Sequence, residues 1–142
     1  MLRDVKIKIF GNGRKPEYKT AGAVCADCYA NLDGCICIPV GQRRLIPLGF
    51  AIELPKGYEL QVRGRSGLAS KGIDIALGTV DYDYRGEVKA CVINNSETDF
   101  TVYHDDRICQ IAIREAEQTT FEVVDELSET ERSDNGFGHT GI

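Results

Sequence analysis

The sequence predicts an all-β fold, either a sandwich or a barrel. Short apolar segments recur along the 142 residues, and residues typical of turns separate them. Many short strands at regular spacing are typical of these two architectures. Only Arg65–Lys71 has a helix-like pattern, and Gly72 ends it. A chain of this length is expected to form one domain around one hydrophobic core.

Five segments predict the strands of the first half. Val5–Phe10 alternates between apolar and polar residues, which predicts a half-buried strand. Pro47 and Gly49 interrupt the apolar run Arg44–Leu54, so this run is expected to form two short strands that meet at a bend. The other predicted strands here are Val24–Ala30, Cys35–Val40 and Tyr58–Arg63.

A β-hairpin is predicted at the start of the second half. Two apolar runs, Ile73–Leu77 and Val88–Ile93, flank the polar stretch Gly78–Glu87. Apolar flanks around a turn-rich centre are typical of a hairpin, with Gly78–Glu87 as its turn. Three further strands are predicted at Asp99–Tyr103, Ile108–Ile113 and Gln118–Val124.

The chain changes character at Asp125, where it becomes acidic and then Gly-rich. Such a segment has too little apolar content to pack on its own body, which predicts a mobile arm. Residues 1–124 are therefore predicted to form the β domain and residues 125–142 the arm.

Charge and hydropathy restrict the partners and the location. The formal net charge is −5, which argues against a nucleic-acid polymer as partner, because such binding needs a basic face. A single nucleotide needs only a few local cations. No apolar run approaches the length of a membrane span, and the charged N-terminus does not resemble a secretory signal. We expect no membrane partner and a cytoplasmic location, or its nuclear or viral equivalent.

The six cysteines have two interpretations. Cys25-x-x-Cys28 followed by Cys35-x-Cys37 resembles zinc-ligand spacing. Residues two apart on a strand lie far apart for one tetrahedral ion, however. The favoured interpretation is that the cysteines are small buried apolar residues in a reducing compartment.

The predicted hairpin turn carries more chemistry than a solvated turn needs. It reads Gly-Thr-Val-Asp-Tyr-Asp-Tyr-Arg-Gly-Glu, with three acids, one arginine and two tyrosines. Asp81 can polarise a water molecule and Tyr84 can stack on a sugar-like ligand; a charged surface hairpin is the alternative. The stretch resembles the third of five motifs of the trimeric deoxyuridine triphosphate nucleotidohydrolase (dUTPase) family.

The other four motifs appear in the family's order and together cover nearly the whole chain. Arg65-Ser66-Gly67 resembles the second motif, whose residues hold the phosphate chain. Taken alone, the stretch is either a phosphate cradle or a turn capped by Ser66. Asp27 occupies the acid position of the first motif, which helps to hold Mg²⁺ through water.

Asp106–Gln110 resembles the fourth motif. The resemblance implies that Gln110 binds phosphate and that Arg107 braces the site. The two side chains are predicted to lie on opposite sides of the strand start. Taken alone, Arg107 is a surface salt-bridge residue of little energetic value.

The arm resembles the fifth motif, which closes over the nucleotide. Its aromatic ring is expected to stack on the base, while its arginine and hydroxyl reach the terminal phosphates. The substrate-binding residues implied here are Arg132, Phe137, Gly138, His139 and Thr140.

The chain departs from the family pattern at several positions. Val24 and Cys25 replace the usual Ala-Gly, so their Cβ atoms are expected to crowd the backbone. His139 replaces a serine, and its charge is expected to make binding pH-sensitive. Asp105 and Ser133 stand where glycine is usual.

The resemblance implies a complete enzyme. The implied fold is a distorted jelly roll that assembles as a homotrimer. The implied reaction is Mg²⁺-assisted hydrolysis of dUTP to dUMP and pyrophosphate. This reaction lowers the dUTP level and supplies dUMP for dTMP synthesis. Asp81 is the implied general base, Tyr84 packs on the deoxyribose, Asp83 orients the turn, and backbone groups near Ile75–Gly78 read the uracil. Motifs one, two and four come from one subunit, three from a second and five from a third.

Besides the zinc-binding β protein that the cysteine spacing allows, two alternatives remain open from the sequence. One is dCTP deaminase, which shares the fold, but its glutamate base would fall at Cys91, and a thiol cannot replace that carboxylate. The other is a non-catalytic nucleotide-binding regulatory module of the same fold.

Overall fold

The structure, a computed structural model, describes residues 5–138. Within this range the chain forms eleven strands and one short helix, so the all-β prediction is confirmed. The strands are β1 (Lys8–Phe10), β2 (Ala26–Tyr29), β3 (Cys35–Ile38), β4 (Arg43–Pro47), β5 (Ala51–Glu53), β6 (Tyr58–Arg63), β7 (Ile73–Ile75), β8 (Gly78–Val80), β9 (Lys89–Asn94), β10 (Phe100–Tyr103) and β11 (Arg107–Glu115), and the helix is α1 (Ser66–Ala69).

The strands form a distorted jelly roll of four small antiparallel sheets. The largest has the order β2-β11-β6-β8, and a three-stranded sheet has the order β4-β9-β7. Two pairs, β1-β5 and β10-β3, complete the body. No helix among residues 5–138 is long and apolar enough to cross a membrane.

The core lies between the sheets and follows from alternation along the strands. In β9, for example, Ala90, Val92 and Asn94 are buried while the residues between them are partly exposed. Alternate side chains point to opposite faces of a sheet, so each strand contributes one apolar row. The largest fully buried apolar side chains are Ile38, Ile46, Leu48, Leu60 and Ile108.

Several strand predictions are confirmed. The predicted strand at residues 58–63 has those bounds as β6. The run Arg44–Leu54 forms two strands, β4 and β5, with the bend at Gly49. Gly49 has a φ of 78°, and a Cβ there would lie 2.6 Å from the Gly13 Cα. Only glycine fits this bend, because a residue with a side chain disfavours the positive φ and its Cβ would collide with the Gly13 backbone.

The hairpin prediction is half right. Strands β7 and β9 pair as expected, with Ile75 opposite Val92. The predicted turn, however, contains the short strand β8, which leaves this sheet and pairs with β6. Sequence pattern could not show this crossover, because Gly78–Val80 is too short to carry a period of its own.

Two predicted strands need correction. Gln118–Val124 forms no strand, and Phe121 and Val123 are 89 % and 96 % exposed. A strand needs a partner edge, and no described part of this chain supplies one. At the N-terminus only Lys8–Phe10 is a strand, and all three of its residues are exposed rather than half-buried.

The buried Asn94 generates a stability prediction. Its side-chain amide donates to the Ile38 and Thr98 carbonyls at 2.9 and 2.8 Å, and its oxygen accepts from Ser96. Asn94→Leu removes these hydrogen bonds from a buried site and should lower the free energy of unfolding by about 2–4 kcal/mol.

Chemical denaturation at matched protein concentration measures this loss. The neighbouring Asn95→Leu is the control, because Asn95 is exposed and its side chain donates to the exposed Asp74 carboxylate; it should change stability by about 0.5 kcal/mol or less. Equal losses in both variants would show that burial of the Asn94 network is unimportant.

Candidate active site

The first group of predicted site residues meets where β2 pairs with β11. Asp27 lies directly opposite Gln110 in the register, and Arg107 Nη1 donates to Asp27 Oδ2 at 3.1 Å. The register shifts between Arg107 and Cys109, and both Ile108 and Cys109 are buried. This β-bulge consumes one residue and turns Arg107 to the side of Gln110. The prediction that Arg107 and Gln110 lie on opposite sides is therefore wrong.

Arg65 and Gln110 tie the helix start to the same place. Arg65 Nη1 donates to the Arg107 carbonyl at 2.8 Å, and its Nε lies 3.9 Å from Asp27 Oδ1. Gln110 Nε2 donates to the Gly64 carbonyl at 2.8 Å. We call Asp27, Arg65, Arg107 and Gln110 the Asp27 cluster.

Ser66 and Gly67 lie beside the Asp27 cluster at the start of α1. Both residues are exposed, and a Cβ at Gly67 would meet open space. The residue before the helix is Arg65, and it makes no side-chain capping hydrogen bond. Ser66 is therefore not the cap that the alternative interpretation required.

The Asp27 cluster carries an excess of positive charge. The Asp27 side chain is 13 % exposed and faces two guanidinium groups. One carboxylate against two arginines leaves one positive charge, which suits an anionic ligand. No group of three or more His, Cys, Asp or Glu side chains that could hold a metal occurs in residues 5–138. A single carboxylate fits a Mg²⁺ that arrives with a polyphosphate, since Mg²⁺ keeps waters and phosphate oxygens as its other ligands.

The hairpin residues form a second, well-braced group. The Tyr84 amide donates to the Asp81 carbonyl at 3.1 Å, and the Tyr84 hydroxyl donates to the Glu87 carbonyl at 3.0 Å. Arg85 donates to the Tyr82 carbonyl at 2.6 Å. The Tyr84 ring folds across Gly86, where any Cβ would collide with its hydroxyl.

The acids of the turn are open to solvent, and Arg85 anchors the turn to the body. Asp81 and Asp83 are both exposed. Arg85 Nε lies 3.6 Å from a Glu53 carboxylate oxygen. The turn is thus held by backbone acceptors, one ion pair and a hydrogen bond from the Gly49 amide to the Glu87 carboxylate, while the Asp81 and Asp83 carboxylates remain available for a ligand.

One chain does not bring the hairpin to the Asp27 cluster. Strand β8 runs away from the end of β6 that carries Arg63, so Asp81 lies beyond Leu60. Asp27 lies level with Arg63 across two strand pairings. At about 3.3 Å per residue and about 4.8 Å per strand, this separates Asp27 from Asp81 by roughly 20 Å along the sheet.

The described part of the arm also stays apart from the Asp27 cluster. Arg132 Nε donates to the Asn135 carbonyl at 2.6 Å, and the Phe137 side chain is fully exposed. Gly138 has a φ of 99°. The predicted contacts of His139 and Thr140 lie outside the described residues.

The six cysteines divide by burial into three pairs. Cys28 and Cys109 are buried and face each other across β2 and β11. The Cys109 thiol and burial raise the pKa of Cys28 well above its usual range, so this thiol is inert. Cys35 and Cys37 are exposed, and Cys25 and Cys91 are partly exposed, so the interpretation of all six as buried residues is wrong for these four.

Comparison with known proteins identifies the family. The model of the dUTPase family matches residues 12–141. The deoxyuridine 5'-triphosphate nucleotidohydrolase of Chlamydia trachomatis serovar L2 is 49 % identical over 138 residues, covering 94 % of this chain and 95 % of that protein. The chain belongs to the dUTPase family. The protein of that name from Finegoldia magna is 44 % identical over 142 residues, covering 96 % and 99 %.

Solved structures of dUTPases share the fold. The dUTPase of Staphylococcus bacteriophage 80alpha, determined with dUpNHpp, has a TM-score of 0.88 at 21 % identity and covers 96 % of this chain and 99 % of its own. A mutant dUTPase from phage phi11 of S. aureus has a TM-score of 0.79 at 18 % identity over 87 % of this chain and 99 % of its own. That structure reveals the coordination of a structural Mg(II) ion.

The departures from the dUTPase pattern have a backbone explanation. Asp105 and Ser133, which stand where glycine is usual, have φ values of 66° and 54°. Both are left-handed conformations, which favour glycine but are tolerated best by small polar residues such as aspartate. Val24 and Cys25 are not among the described residues with positive φ, so a Cβ there causes no backbone strain of this kind.

Asp105 generates a second stability prediction. Asp105→Ala should lower the free energy of unfolding by about 1 kcal/mol, because alanine lacks the local polar contacts that favour the left-handed region. Asp105→Gly should be neutral or stabilising. Thermal unfolding of both variants measures the difference, with Asp33→Ala as an exposed control at a non-glycine φ. Identical melting temperatures for the Ala and Gly variants would contradict the explanation.

Proposed function

We propose that this protein hydrolyses dUTP to dUMP and pyrophosphate, using sites shared between the subunits of a homotrimer. The observation that carries the proposal is the Asp27 cluster, a partly buried group of two arginines and one amide around a single carboxylate. It is the phosphate-binding half of a dUTPase site on a chain that belongs to that family.

The Asp27 cluster holds the polyphosphate. Arg65 and Arg107 neutralise its charge, and the Gln110 amide and the Ser66 hydroxyl donate to its oxygens. The open approach at Gly67 lets the backbone come close to a phosphate. Asp27 would hold, through water, a Mg²⁺ carried by the substrate, and this ion would supply charge neutralisation at the phosphates.

The hairpin of a second subunit supplies the base and the specificity. Asp81 takes the proton of the attacking water, which reaches the α-phosphate in line with the leaving pyrophosphate. Tyr84, held over Gly86, packs on the deoxyribose and leaves no room for a 2′-hydroxyl. The Ala76 amide already donates to the Cys91 carbonyl, which leaves Leu77 and Gly78 to read the uracil edge.

The arm completes the site. Arg132 releases the Asn135 carbonyl and binds the terminal phosphates. Phe137, whose side chain is exposed in the single chain, stacks on the base. The glycine at 138 allows the chain to reverse there, and His139 and Thr140 contact the phosphates.

Two features support a homotrimer with shared sites. The Asp27 cluster and Asp81 are far apart in one chain, so they can act on one substrate only across subunits. Apolar side chains of the segment 118–127 are also uncovered, among them Phe121, Val123 and Leu127. Exposed apolar side chains that follow one another along a segment are candidates for burial against another chain, and a neighbouring subunit would provide the cover.

Cys91 favours hydrolysis over deamination. It lies on the partly exposed face of β9, opposite Leu45. A deaminase needs a carboxylate at this position to move a proton, and a thiol does not replace it.

The reaction is tested by pyrophosphate release from dUTP, dCTP, dTTP and UTP, with and without Mg²⁺. We expect turnover of dUTP alone, and much less of it without Mg²⁺.

Asp81→Asn should abolish turnover and leave dUTP binding within a few-fold, because the amide keeps the shape but cannot take a proton. Near-normal single-turnover rates in this variant would show that Asp81 is not the base.

Shared sites predict rescue between inactive variants. Arg65→Gln and Asp81→Asn should each be inactive alone, but trimers formed by mixing and refolding them together should contain some sites that lack both changes. Activity should therefore return to roughly a quarter of wild type, since each such site draws two independent subunits. An inactive mixture of verified mixed trimers would contradict the division between subunits.

A further inference from the structure

A second charged cluster adjoins the Asp27 cluster on the same face of β2. An isolated bridge pairs Glu17 with Asp27, and each amide donates to the other's carbonyl at 3.0 and 2.7 Å. Residues opposite each other in an antiparallel pair project to one side, so the Glu17 carboxylate faces the same way as Asp27. It binds Arg14 Nη2 and Lys19 Nζ, each at 3.0 Å.

Tyr29 connects the two clusters. It lies two residues after Asp27 on β2, on the same face, and pairs with Arg107 in the register. The Arg14 guanidinium lies 3.6 Å from the Tyr29 ring centroid, and Lys19 Nζ lies 5.3 Å from it. Both cations therefore rest on this ring. We call Arg14, Glu17, Lys19 and Tyr29 the Glu17 cluster.

The Tyr29 hydroxyl is buried without a partner. The residue is 4 % exposed, and its hydroxyl makes no hydrogen bond to the described residues. Lys19 Nζ lies 5.3 Å from the centroid of the same ring, and the neighbouring tyrosine raises the pKa of Lys19. A buried hydroxyl left unpaired is costly, and a bound anion beside Lys19 would satisfy it.

The cations of the Glu17 cluster are open to an incoming ligand. The Arg14 and Lys19 side chains are 44 % and 39 % exposed. Each uses one donor on the single Glu17 carboxylate, and a guanidinium has five N–H groups and an ammonium three. Four cations and three anions surround this face. The cations are Arg14, Lys19, Arg65 and Arg107, and the anions are Glu17, Asp27 and Asp105.

We propose that Arg14 and Lys19, seated on Tyr29, form a further anion subsite that holds the pyrophosphate end of the polyphosphate. It takes the terminal phosphates before the reaction and the pyrophosphate afterwards. One two-residue step along β2, about 7 Å, separates Tyr29 from Asp27, a distance that a triphosphate chain bridges. The proposal rests on the proposed function, because the Asp27 cluster must hold the rest of the same chain.

A structural clamp is the competing explanation of the Glu17 cluster. Arg14, Glu17 and Lys19 would then only fix the loop that precedes β2. The two explanations differ in sign for Glu17→Gln. If Glu17 belongs to a structural clamp, its loss weakens the fold and the binding of every ligand. If Glu17 is the counter-ion of an anion subsite, its loss frees two cations and strengthens the binding of a phosphate anion.

The experiment measures the binding of inorganic pyrophosphate and of dUMP to the assembled full-length protein by titration calorimetry at low salt. Arg14→Gln with Lys19→Gln should weaken pyrophosphate binding roughly tenfold, as expected for two lost charge-assisted contacts, and leave dUMP within about twofold. The matched control is Lys8→Gln, whose lysine pairs with Glu53 on another sheet; it should leave both affinities unchanged.

Glu17→Gln should bind pyrophosphate a few-fold more tightly than wild type, and the gain should shrink as salt is added. Unchanged pyrophosphate affinity in the double variant, or weaker binding of both ligands by Glu17→Gln, overturns the subsite. If the wild-type protein released no pyrophosphate from dUTP, the proposed function would be overturned instead. A pyrophosphate affinity that depends on Arg14 and Lys19 would even then support the subsite.

Discussion

The β-bulge at the start of β11 is the constraint on which the Asp27 cluster depends. A regular strand alternates its side chains, and Arg107 would then point away from Gln110. The extra residue allows Ile108 and Cys109 both to enter the core. Burial of two consecutive apolar side chains therefore holds an arginine against Asp27. The geometry of a polar site is set here by the packing of its apolar neighbours.

The charges around Asp27 are only partly balanced, and one positive charge remains for a ligand. Two arginines lie within 4 Å of this carboxylate, and each retains donors beyond those it uses. Such a site is stable when empty, because the charges are paired, and still attracts a polyphosphate. The proposed Glu17 cluster repeats this arrangement one step along β2, with one carboxylate between two cations. A row of shared counter-ions suits a chain of phosphates better than isolated lysines would.

The division of the site links assembly to chemistry. The hairpin is rigid, since Tyr84 and Arg85 hold it through backbone carbonyls, but the same sheet carries it away from Asp27. The C-terminal segment pairs with no strand among residues 5–138 and keeps Phe121 and Val123 exposed. Both features leave the single chain incomplete, and in the proposed trimer a neighbour corrects both. Activity would then report on assembly as well as on folding.

Local sequence determined much of the body. The strand at residues 58–63, the bend at Gly49 and the all-β class follow from alternation and turn chemistry, which act over a few residues. The family motifs also located the candidate residues, including the two left-handed positions that this chain fills with Asp105 and Ser133. Tertiary structure decided the rest: the bulge that reorients Arg107, the crossover of β8 to β6, and the absence of a strand at Gln118–Val124. Each depends on a partner distant in sequence, because pairing and packing are chosen between segments, and no single segment contains that information.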